Sequence, residues 1–217
     1  MIHQKHNMKY SLPLAFVLLV FIAGQACNSD YTPRPKGYFR IDLPKRGYQR
    51  FDSSGFPYSF EYPAYATISK ADSAGKDPYW VNVEFPSLHA RIYVSYKPIG
   101  GFSTLKINTG NGYRDSLVPN SFERLREEAY TMTYKHTIKA SGIIDSAFVN
   151  TNGSGGMYFY VAGEAATSRQ FFITDSSRNF LRAALYFDAT PNEDSLSVVS
   201  NFLEQDLRHM ISTLKWK

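Results

Sequence analysis

The only cysteine of the chain, Cys27, ends an apolar stretch and stands directly before the polar residues 28–30. A lone cysteine cannot form an internal disulfide, and an exported protein gains little from an unpaired reactive thiol. A diacylglyceryl group on the thiol, with cleavage of the chain just before Cys27, explains why the chain has a single cysteine and why it stands at this position. We therefore predict that Cys27 is a lipidation site.

Residues 1–26 have the parts of a secretory signal. The first ten residues contain two lysines and no acidic residue, Leu12 to Ala23 form an apolar run, and Ala26 is a small residue at the cleavage position. These twelve apolar residues span about 18 Å as a helix, short of the ~30 Å hydrocarbon core, so a permanent transmembrane helix is the weaker interpretation. Gly24 stands where a bacterial lipobox usually has a leucine, which keeps ordinary cleavage to a free cysteine open as an alternative.

The sequence after Cys27 offers few candidates for catalysis. Its histidines are His89, His136 and His209, and none of them stands in HExxH or another metal-binding spacing. Ser154 lies in the segment GSGG but lacks the strand-to-helix context of a nucleophile elbow, so we interpret it as a turn residue. We predict no metal site, no cofactor and no enzymatic activity.

One polar stretch, residues 163–172, separates two strongly apolar segments. Glu164, Thr167 and Arg169 could form the rim of a binding site there. The same residues also fit the turn of a β-hairpin, which is the simpler interpretation. If the protein is instead a small-ligand binding protein or a hydrolase of the cell envelope, we expect its pocket near this turn or near residues 99–120.

The charge of the chain argues against nucleic acid as a partner. Two of the 24 basic residues and none of the 19 acidic residues precede Cys27, so residues 27–217 carry a net charge of +3. A balance this mild is typical of solvated surface charge. The 191 residues from Cys27 to Lys217 are enough for one domain, and the 16 Tyr and 16 Phe of the chain favour a sheet-rich core.

Short apolar or alternating runs predict an antiparallel β-sheet. The segment WVNVEF at 80–85 alternates between two faces, and HARIYVSY at 89–96 follows closely enough to form a hairpin with it. Further strands are predicted at 58–62, 141–150, 157–163, 169–175 and 180–189. The last two of these are nearly continuously apolar, which predicts central strands covered by helices.

Two amphipathic helices are predicted to pack on this sheet. The first begins at an Asn120 cap with Glu123 in the capping-box position and runs to about Lys139. The second begins at a Thr190 cap with Pro191 in the first helical position. The order of strands, helix, strands and helix predicts an α+β fold, in which an antiparallel β-sheet is packed by two main helices.

The prolines and scattered charges of residues 27–55 indicate a lipidated tether followed by an extended lead-in. Residues 56–217 then form a single α+β domain. Within it, residues 99–120 are rich in Gly, Asn, Ser and Thr and have no clear period. They are therefore predicted to be a flexible loop.

Several segments resemble one known family. The segments PRPKGYFRIDLP, ARIYVSYKPI and AYTMTYKHTIKA, the run from Gly155 to Asp194 and the terminal STLKWK resemble the gliding-motility lipoprotein GldD of Bacteroidota. The resemblance covers roughly residues 33–98 and 122–217, and the loop at 99–120 departs from it by being longer and richer in Gly. The predicted fold also looks similar to the PsbP/Mog1-like α/β sandwich, a likeness that says little about mechanism.

The resemblance implies a lipoprotein of the cell envelope, held at a membrane by palmitate or a similar acyl group on Cys27. It implies a requirement for gliding motility, type IX protein secretion or both, in a non-catalytic structural or assembly role without a cofactor. The implied partners are the membrane and other envelope proteins of the gliding and secretion machinery. The outer membrane is the expected location, with its periplasmic side and the cell surface both open.

Overall fold

The structure of the protein is a computed structural model, which describes residues 41–71 and 77–217. The predicted signal peptide at 1–26, the lipidation site Cys27 and the first part of the predicted tether lie outside the described residues. The architecture below therefore concerns the domain that follows the predicted anchor.

The described residues form twelve β-strands and two α-helices. The strands are β1 (Tyr48–Phe51), β2 (Tyr58–Pro63), β3 (Thr67–Lys70), β4 (Val81–Phe85), β5 (Ala90–Pro98), β6 (Phe102–Asn108), β7 (Tyr113–Pro119), β8 (Ala140–Val149), β9 (Gly155–Gly163), β10 (Thr167–Thr174), β11 (Asn179–Phe187) and β12 (Lys215–Trp216). The helices are α1 (Phe122–Tyr134) and α2 (Glu193–Thr213), and short 3-10 helices lie at Pro86–Leu88 and Lys135–Ile138. Neither α-helix of this described domain has the length and hydropathy that a membrane crossing requires.

Seven strands form one antiparallel sheet in the order β3-β4-β5-β11-β10-β9-β8. The two predicted hairpins, β4–β5 and β10–β11, are both present. Strands β10 and β11 lie inside the sheet, as their apolar sequences predict. The strand pairings and the two helices confirm the predicted α+β class.

One face of this sheet carries the larger core. Helix α2 and a second sheet of order β1-β2-β12 cover it. Leu203 and Leu207 of α2 and Phe60 of β2 are buried in one cluster with Phe171 and Leu185 of the main sheet. Full burial of a side chain of this size contributes ~1.5–3 kcal/mol, so this layer supplies the larger share of apolar stabilisation.

Helix α1 covers only part of the opposite face. Leu125 and Ala129 of α1 pack on phenylalanines of β9, β10 and β11, namely Phe159, Phe172 and Phe180. On β4 and β5, the same face of the sheet carries polar and aromatic side chains instead. Within residues 41–71 and 77–217, no other element covers the sheet beside α1.

Residues 99–120 do not form the irregular loop that the sequence predicts. Strands β6 and β7 pair as an antiparallel hairpin, from Phe102 opposite Pro119 to Asn108 opposite Tyr113. Most side chains on both faces of this hairpin are exposed. Because neither face packs on a core, the sequence needs no apolar residue at every second position, and the usual signal of a strand is weak.

The domain begins before residue 56. Strand β1 pairs with β2 in antiparallel register. Just before β1, Arg46 donates hydrogen bonds to the Asp206 carboxylate and to the Phe202 carbonyl of α2. The described part of the predicted lead-in, residues 41–55, therefore has its own contacts with the core.

Both helices begin later than the sequence predicts. Ser121, rather than Asn120, caps α1 by accepting a hydrogen bond from the Arg124 backbone N–H at 3.2 Å. Asn192, rather than Thr190, caps α2 in the same way. Asn, Ser and Thr are all favourable N-caps, so residue type alone does not choose between close neighbours.

Candidate functional site

The three histidines of the described domain do not form a cluster. His89 is exposed after the 3-10 turn between β4 and β5, and His136 is partly buried in the 3-10 turn after α1. The ring of His209 stacks on Tyr48 with centroids 3.6 Å apart, and its Nε2 lies 2.7 Å from Glu61 Oε2. Across residues 41–71 and 77–217, no group of three or more His, Cys, Asp and Glu side chains could hold a metal ion.

Ser154 lies in the short turn between β8 and β9, as predicted. Its Oγ accepts a hydrogen bond from Trp216 Nε1 at 2.8 Å. In the same turn, Asn150 Nδ2 donates to the carbonyls of Ile211 and Leu214 at the end of α2. The turn therefore satisfies the C-terminal end of that helix, and Ser154 is bound to a tryptophan rather than to a base.

Residues 163–172 contain the β9–β10 hairpin turn, the simpler of the two interpretations, and of Glu164, Thr167 and Arg169 it is Arg169 that lines a cavity. Arg169 is only 5% exposed, and its Nε donates to Glu204 Oε2 of α2 at 2.9 Å. The same guanidinium lies 4.1 Å from the ring centroid of Tyr160. Thr167 is fully buried, whereas Glu164 is exposed. The segment is a hairpin turn whose arginine fastens α2 to the sheet.

A small cavity of about 70 Å³ lies between this turn and the start of α2. Glu193 in its wall accepts hydrogen bonds from the Tyr160 hydroxyl at 3.0 Å and from the Gly163 backbone N–H at 2.6 Å. The positive end of α2, where an external anion could bind, therefore already has a carboxylate of the chain itself. This arrangement does not favour a ligand site here.

A larger cavity of about 190 Å³ opens where α1 leaves the sheet uncovered. We call it the α1 cleft. Strands β4, β5 and β11 and helix α1 surround it, and its lining includes Trp80, Asn82, Tyr93, Lys97, Phe180 and Arg182. A cavity of about 150 Å³ is enough for a benzene ring, so the α1 cleft can hold a ring-sized group and a few polar atoms.

The charged side chains of the α1 cleft are unequally paired. Lys97 Nζ lies 2.7 Å from Glu128 Oε1, and Arg124 Nη1 lies 3.0 Å from Glu128 Oε2. Arg182 has no carboxylate within ion-pair distance among the described residues, and its guanidinium donates to the neutral Oε1 of Gln170. These three cations have one carboxylate between them, so the described part of the protein leaves a net positive charge at the α1 cleft.

Burial affects the ionisable groups at this end of α1. It lowers the pKa of Arg182, although Tyr186 and Glu128 partly oppose that shift. Arginine nevertheless remains protonated in proteins. Burial also lowers the pKa of His136, and the nearby charge of Arg182 lowers it further. At neutral pH His136 is therefore an uncharged imidazole, and Arg182 is the cation.

Arg182 is the candidate residue that the sequence analysis missed. It interrupts the apolar segment FLRAALYFDA in the middle of β11. A charged residue inside a predicted central strand is itself a signal, because such residues are rarely buried without a partner. That no carboxylate of the described residues lies near Arg182 can be recognised only from the three-dimensional structure.

The α1 cleft has the properties of a binding site. Its Ser95 hydroxyl donates to the Arg182 backbone carbonyl at 3.2 Å and not to a base that could activate it. Its remaining walls are largely aromatic or aliphatic. Concave, mostly apolar pockets with a few polar groups are typical of small-molecule and peptide sites.

Comparison with solved structures finds a distant likeness. The solution structure of cyanobacterial PsbP (CyanoP) from Synechocystis sp. PCC 6803 is similar with a TM-score of 0.42 and 12% sequence identity, over 81% of this chain and 95% of that chain. A likeness of this size carries no argument about activity or partners. The α+β class follows from the strand pairings themselves. No curated protein matches the chain by sequence.

Comparison with family models gives a match over nearly all of the chain after Cys27. The model described as gliding motility lipoprotein GldD matches residues 28–216. This range includes almost the whole described domain, from β1 to β12, and also the hairpin β6–β7. The chain therefore belongs to the gliding motility lipoprotein GldD family.

Proposed function

We propose that the protein is a lipid-anchored component of the gliding and type IX secretion machinery, and that it acts in assembly rather than in catalysis. The observation that carries this proposal is the family match over residues 28–216. Its partners are then other envelope proteins of that machinery. The domain described above is the part that such partners would contact.

The anchor of this proposal is Cys27. The family match begins at residue 28, directly after it. Each buried methylene of an acyl chain contributes about 0.8 kcal/mol, and one chain alone gives only marginal attachment. Two or three chains on the Cys27 thiol would hold the domain at a membrane essentially permanently. We place this anchor in the outer membrane, on its periplasmic side or at the cell surface.

A non-catalytic role is supported by what the reactive side chains do in the fold. His209 is engaged with Glu61 and stacked on Tyr48. Ser154 accepts a hydrogen bond from Trp216. Each of these groups has a structural contact that links distant parts of the domain, and these contacts do not set up a nucleophile beside a base.

The anchor is tested by replacing its sulfur atom. Full-length wild type and Cys27→Ser are expressed in a bacterium with lipoprotein processing, and cell fractions are compared. We expect wild type in the membrane fraction with the mass of an acylated N-terminal cysteine, and Cys27→Ser outside it. Ser29→Ala is the matched control and should behave as wild type. An unmodified thiol, with Cys27→Ser equally membrane-bound, would rule the anchor out.

The assembly role is tested in a gliding host that lacks the gene. We expect the deletion to abolish spreading and the secretion of type IX cargo, and wild type to restore both. His89→Asn removes an imidazole while keeping a residue that tolerates the positive φ of 48° at this position, and it should also restore both. A normally spreading and secreting deletion strain would contradict the role, and a stable but inactive His89→Asn would contradict its non-catalytic nature.

A further inference from the structure

Arg182 is held in position at the α1 cleft without being neutralised. Its guanidinium donates to Gln170 Oε1. The Thr133 hydroxyl of α1 lies 3.2 Å from the same oxygen, but it has a single proton and is 2.9 Å from the Ala129 carbonyl. Arg182 can only donate, so its contact alone determines the orientation of the Gln170 amide. Gln170 is fully buried, and its Nε2 has no partner among the described atoms. An orphan buried donor costs free energy, so the fold orients Arg182 at the expense of stability.

A second unpaired group faces the α1 cleft from β4. Asn82 is 4% exposed, and its Oδ1 has no partner among the described atoms. Ser69 Oγ donates its only proton to Glu84 at 2.7 Å, so it can only accept from Asn82 Nδ2, at 3.3 Å. The amide is therefore oriented with Nδ2 toward Ser69, and the buried Oδ1 of this cleft-lining residue is left without a donor.

The two unpaired groups stand at opposite sides of the α1 cleft. Strand β5 lies between β11 and β4, and the two residues are also offset by two positions along the strands, so their backbones are about 12 Å apart. Arg182 is opposite Ser95 of β5, and Asn82 is opposite Tyr93. The Arg182 guanidinium is bonded to Gln170 of β10, on the side of β11 away from β4, so a ligand that reaches both polar groups must span the cleft. Trp80 and Tyr93 provide aromatic surface in the same lining.

We propose that the α1 cleft binds the free carboxyl end of a peptide whose last side chain is apolar. The terminal carboxylate pairs with Arg182, because the planar guanidinium presents donors that match a carboxylate. The last side chain fits the ring-sized space beside Trp80 and Tyr93. A backbone N–H of the peptide donates to Asn82 Oδ1. Each unpaired group of the cleft then has a partner of the right chemistry.

Binding is tested with the full-length protein in detergent micelles. The probe is acetyl-Gly-Phe with a free carboxylate, and the fluorescence of Trp80 in the cleft reports on it. Trp216 is bound to Ser154 away from the cleft and gives a constant background. We expect saturable binding of the acid. The affinity for the matching C-terminal amide should be at least about tenfold lower.

The arginine is tested by a matched pair of variants. Arg182→Met should reduce the affinity for the acid to that for the amide. Arg178→Gln, which alters an exposed arginine in the β10–β11 turn, should leave both affinities unchanged. Asn82→Leu removes the free acceptor and should weaken the binding of acid and amide alike.

Stability without ligand gives an independent readout. Arg182→Met alone also leaves the buried Gln170 Oε1 without its charged donor, so the double variant Arg182→Met/Gln170→Met is used, which removes the charge together with the amide that orients it. Its unfolding midpoint should equal or exceed that of wild type, because neither polar group is left without a partner. Equal binding of acid and amide, unchanged binding by Arg182→Met, a lower midpoint of the double variant, or no saturable binding would each overturn the proposal.

Discussion

Asp206 of α2 is 1% exposed, and its carboxylate accepts hydrogen bonds from three side chains outside α2. Its Oδ1 accepts hydrogen bonds from Arg46 at 3.1 Å and from the Tyr48 hydroxyl at 2.9 Å, and its Oδ2 accepts from the Tyr65 hydroxyl. Removal of one member of a buried charged network leaves the others without partners. The cost therefore exceeds that of one hydrogen bond.

We expect Asp206→Asn to lower the free energy of unfolding by about 2–4 kcal/mol. The amide nitrogen of Asn cannot accept a hydrogen bond from a tyrosine hydroxyl, and the neutral amide leaves Arg46 without a charge partner. Urea denaturation followed by tryptophan fluorescence measures this loss. Asp188→Asn, an exposed acid after β11, is the matched control and should change stability by less than about 0.5 kcal/mol. Similar small effects in both variants would show that the Asp206 cluster is unimportant for folding.

Asp175 is a second residue whose carboxylate shapes the chain around it. Its Oδ1 accepts the backbone N–H groups of Arg178 at 2.8 Å and Asn179 at 2.9 Å, which fixes the turn from β10 to β11. Burial raises the pKa of Asp175, but these hydrogen bonds outweigh it and bring the pKa to about 2. The ordinary value is 3.8, so the charged form is favoured in the folded protein.

A carboxyl group with a lowered folded-state pKa stabilises the protein above its unfolded-state pKa, and this stabilisation is lost as pH falls through the folded-state pKa. We expect Asp175→Asn to cost about 1–2 kcal/mol at neutral pH. The difference from wild type should shrink toward zero as pH falls from about 5 to about 2. Unfolding free energies of both proteins across this range test the sign, and a constant difference would contradict it.

At the scale of elements, the hairpin β6–β7 stands apart from the cores. None of its residues from Phe102 to Pro119 belongs to either buried cluster of the described domain. Its base is already closed, because the Asn120 backbone N–H donates to the Gly101 carbonyl at 2.8 Å. An isolated two-stranded hairpin is marginally stable in water, so this element adds little to the rest of the fold.

We expect replacement of residues 102–119 by a two-residue Asn-Gly turn between Gly101 and Asn120 to change the free energy of unfolding by less than about 1 kcal/mol, since no core contact is lost and the turn keeps the closed base. Thermal unfolding measures this. A loss of several kcal/mol would contradict the independence of the hairpin. Because the variant should stay folded, its failure to restore spreading in the deletion strain would report on the hairpin surface itself.

The elements that sequence could predict are those with one buried face. In β4, Val81, Val83 and Phe85 are buried, and the alternation is readable in the sequence. The hairpin β6–β7 has no such face, so its pattern does not separate it from a loop. The helix caps were displaced by one or two residues because favourable capping residues stand side by side there.

At the scale of the whole molecule, the C-terminal residues complete the small sheet. Lys215 and Trp216 of β12 pair with Ser59 and Tyr58 of β2. The indole of Trp216 packs against the larger core and donates to Ser154. The last strand therefore joins three parts of the domain although it is only two residues long.

We expect deletion of residues 215–217 to lower the free energy of unfolding by about 3 kcal/mol or more, because a large aromatic side chain leaves the core and β2 loses its neighbour. Urea denaturation tests this. Lys217→Gln alters only the contacts with Asp52 and Ser53 at the surface and should have little effect. Equal stability of the truncated and full-length proteins would show that β12 is dispensable.

The α1 cleft is the feature that sequence could least predict. Asn82 and Arg182 are a hundred positions apart, and only the pairing of β4, β5 and β11 brings them to one cavity. Arg182 is visible in the sequence as a lone charge in an apolar strand, but whether a carboxylate meets it depends on the packing of α1. Local patterns define strands and helices, whereas unpaired groups are a property of the assembled fold.

Strand β2 has the N-terminal strand β1 on one side and the C-terminal strand β12 on the other. Tension applied to the chain before Ile41 would therefore reach the domain at the sheet β1-β2-β12, which also contains the C-terminal strand. The salt bridge between Arg46 and Asp206 would also transmit this force to α2. Helix α1 and its cleft lie on the far side of the main sheet, away from this path, so a tethered domain could bear a pull without deforming that cavity.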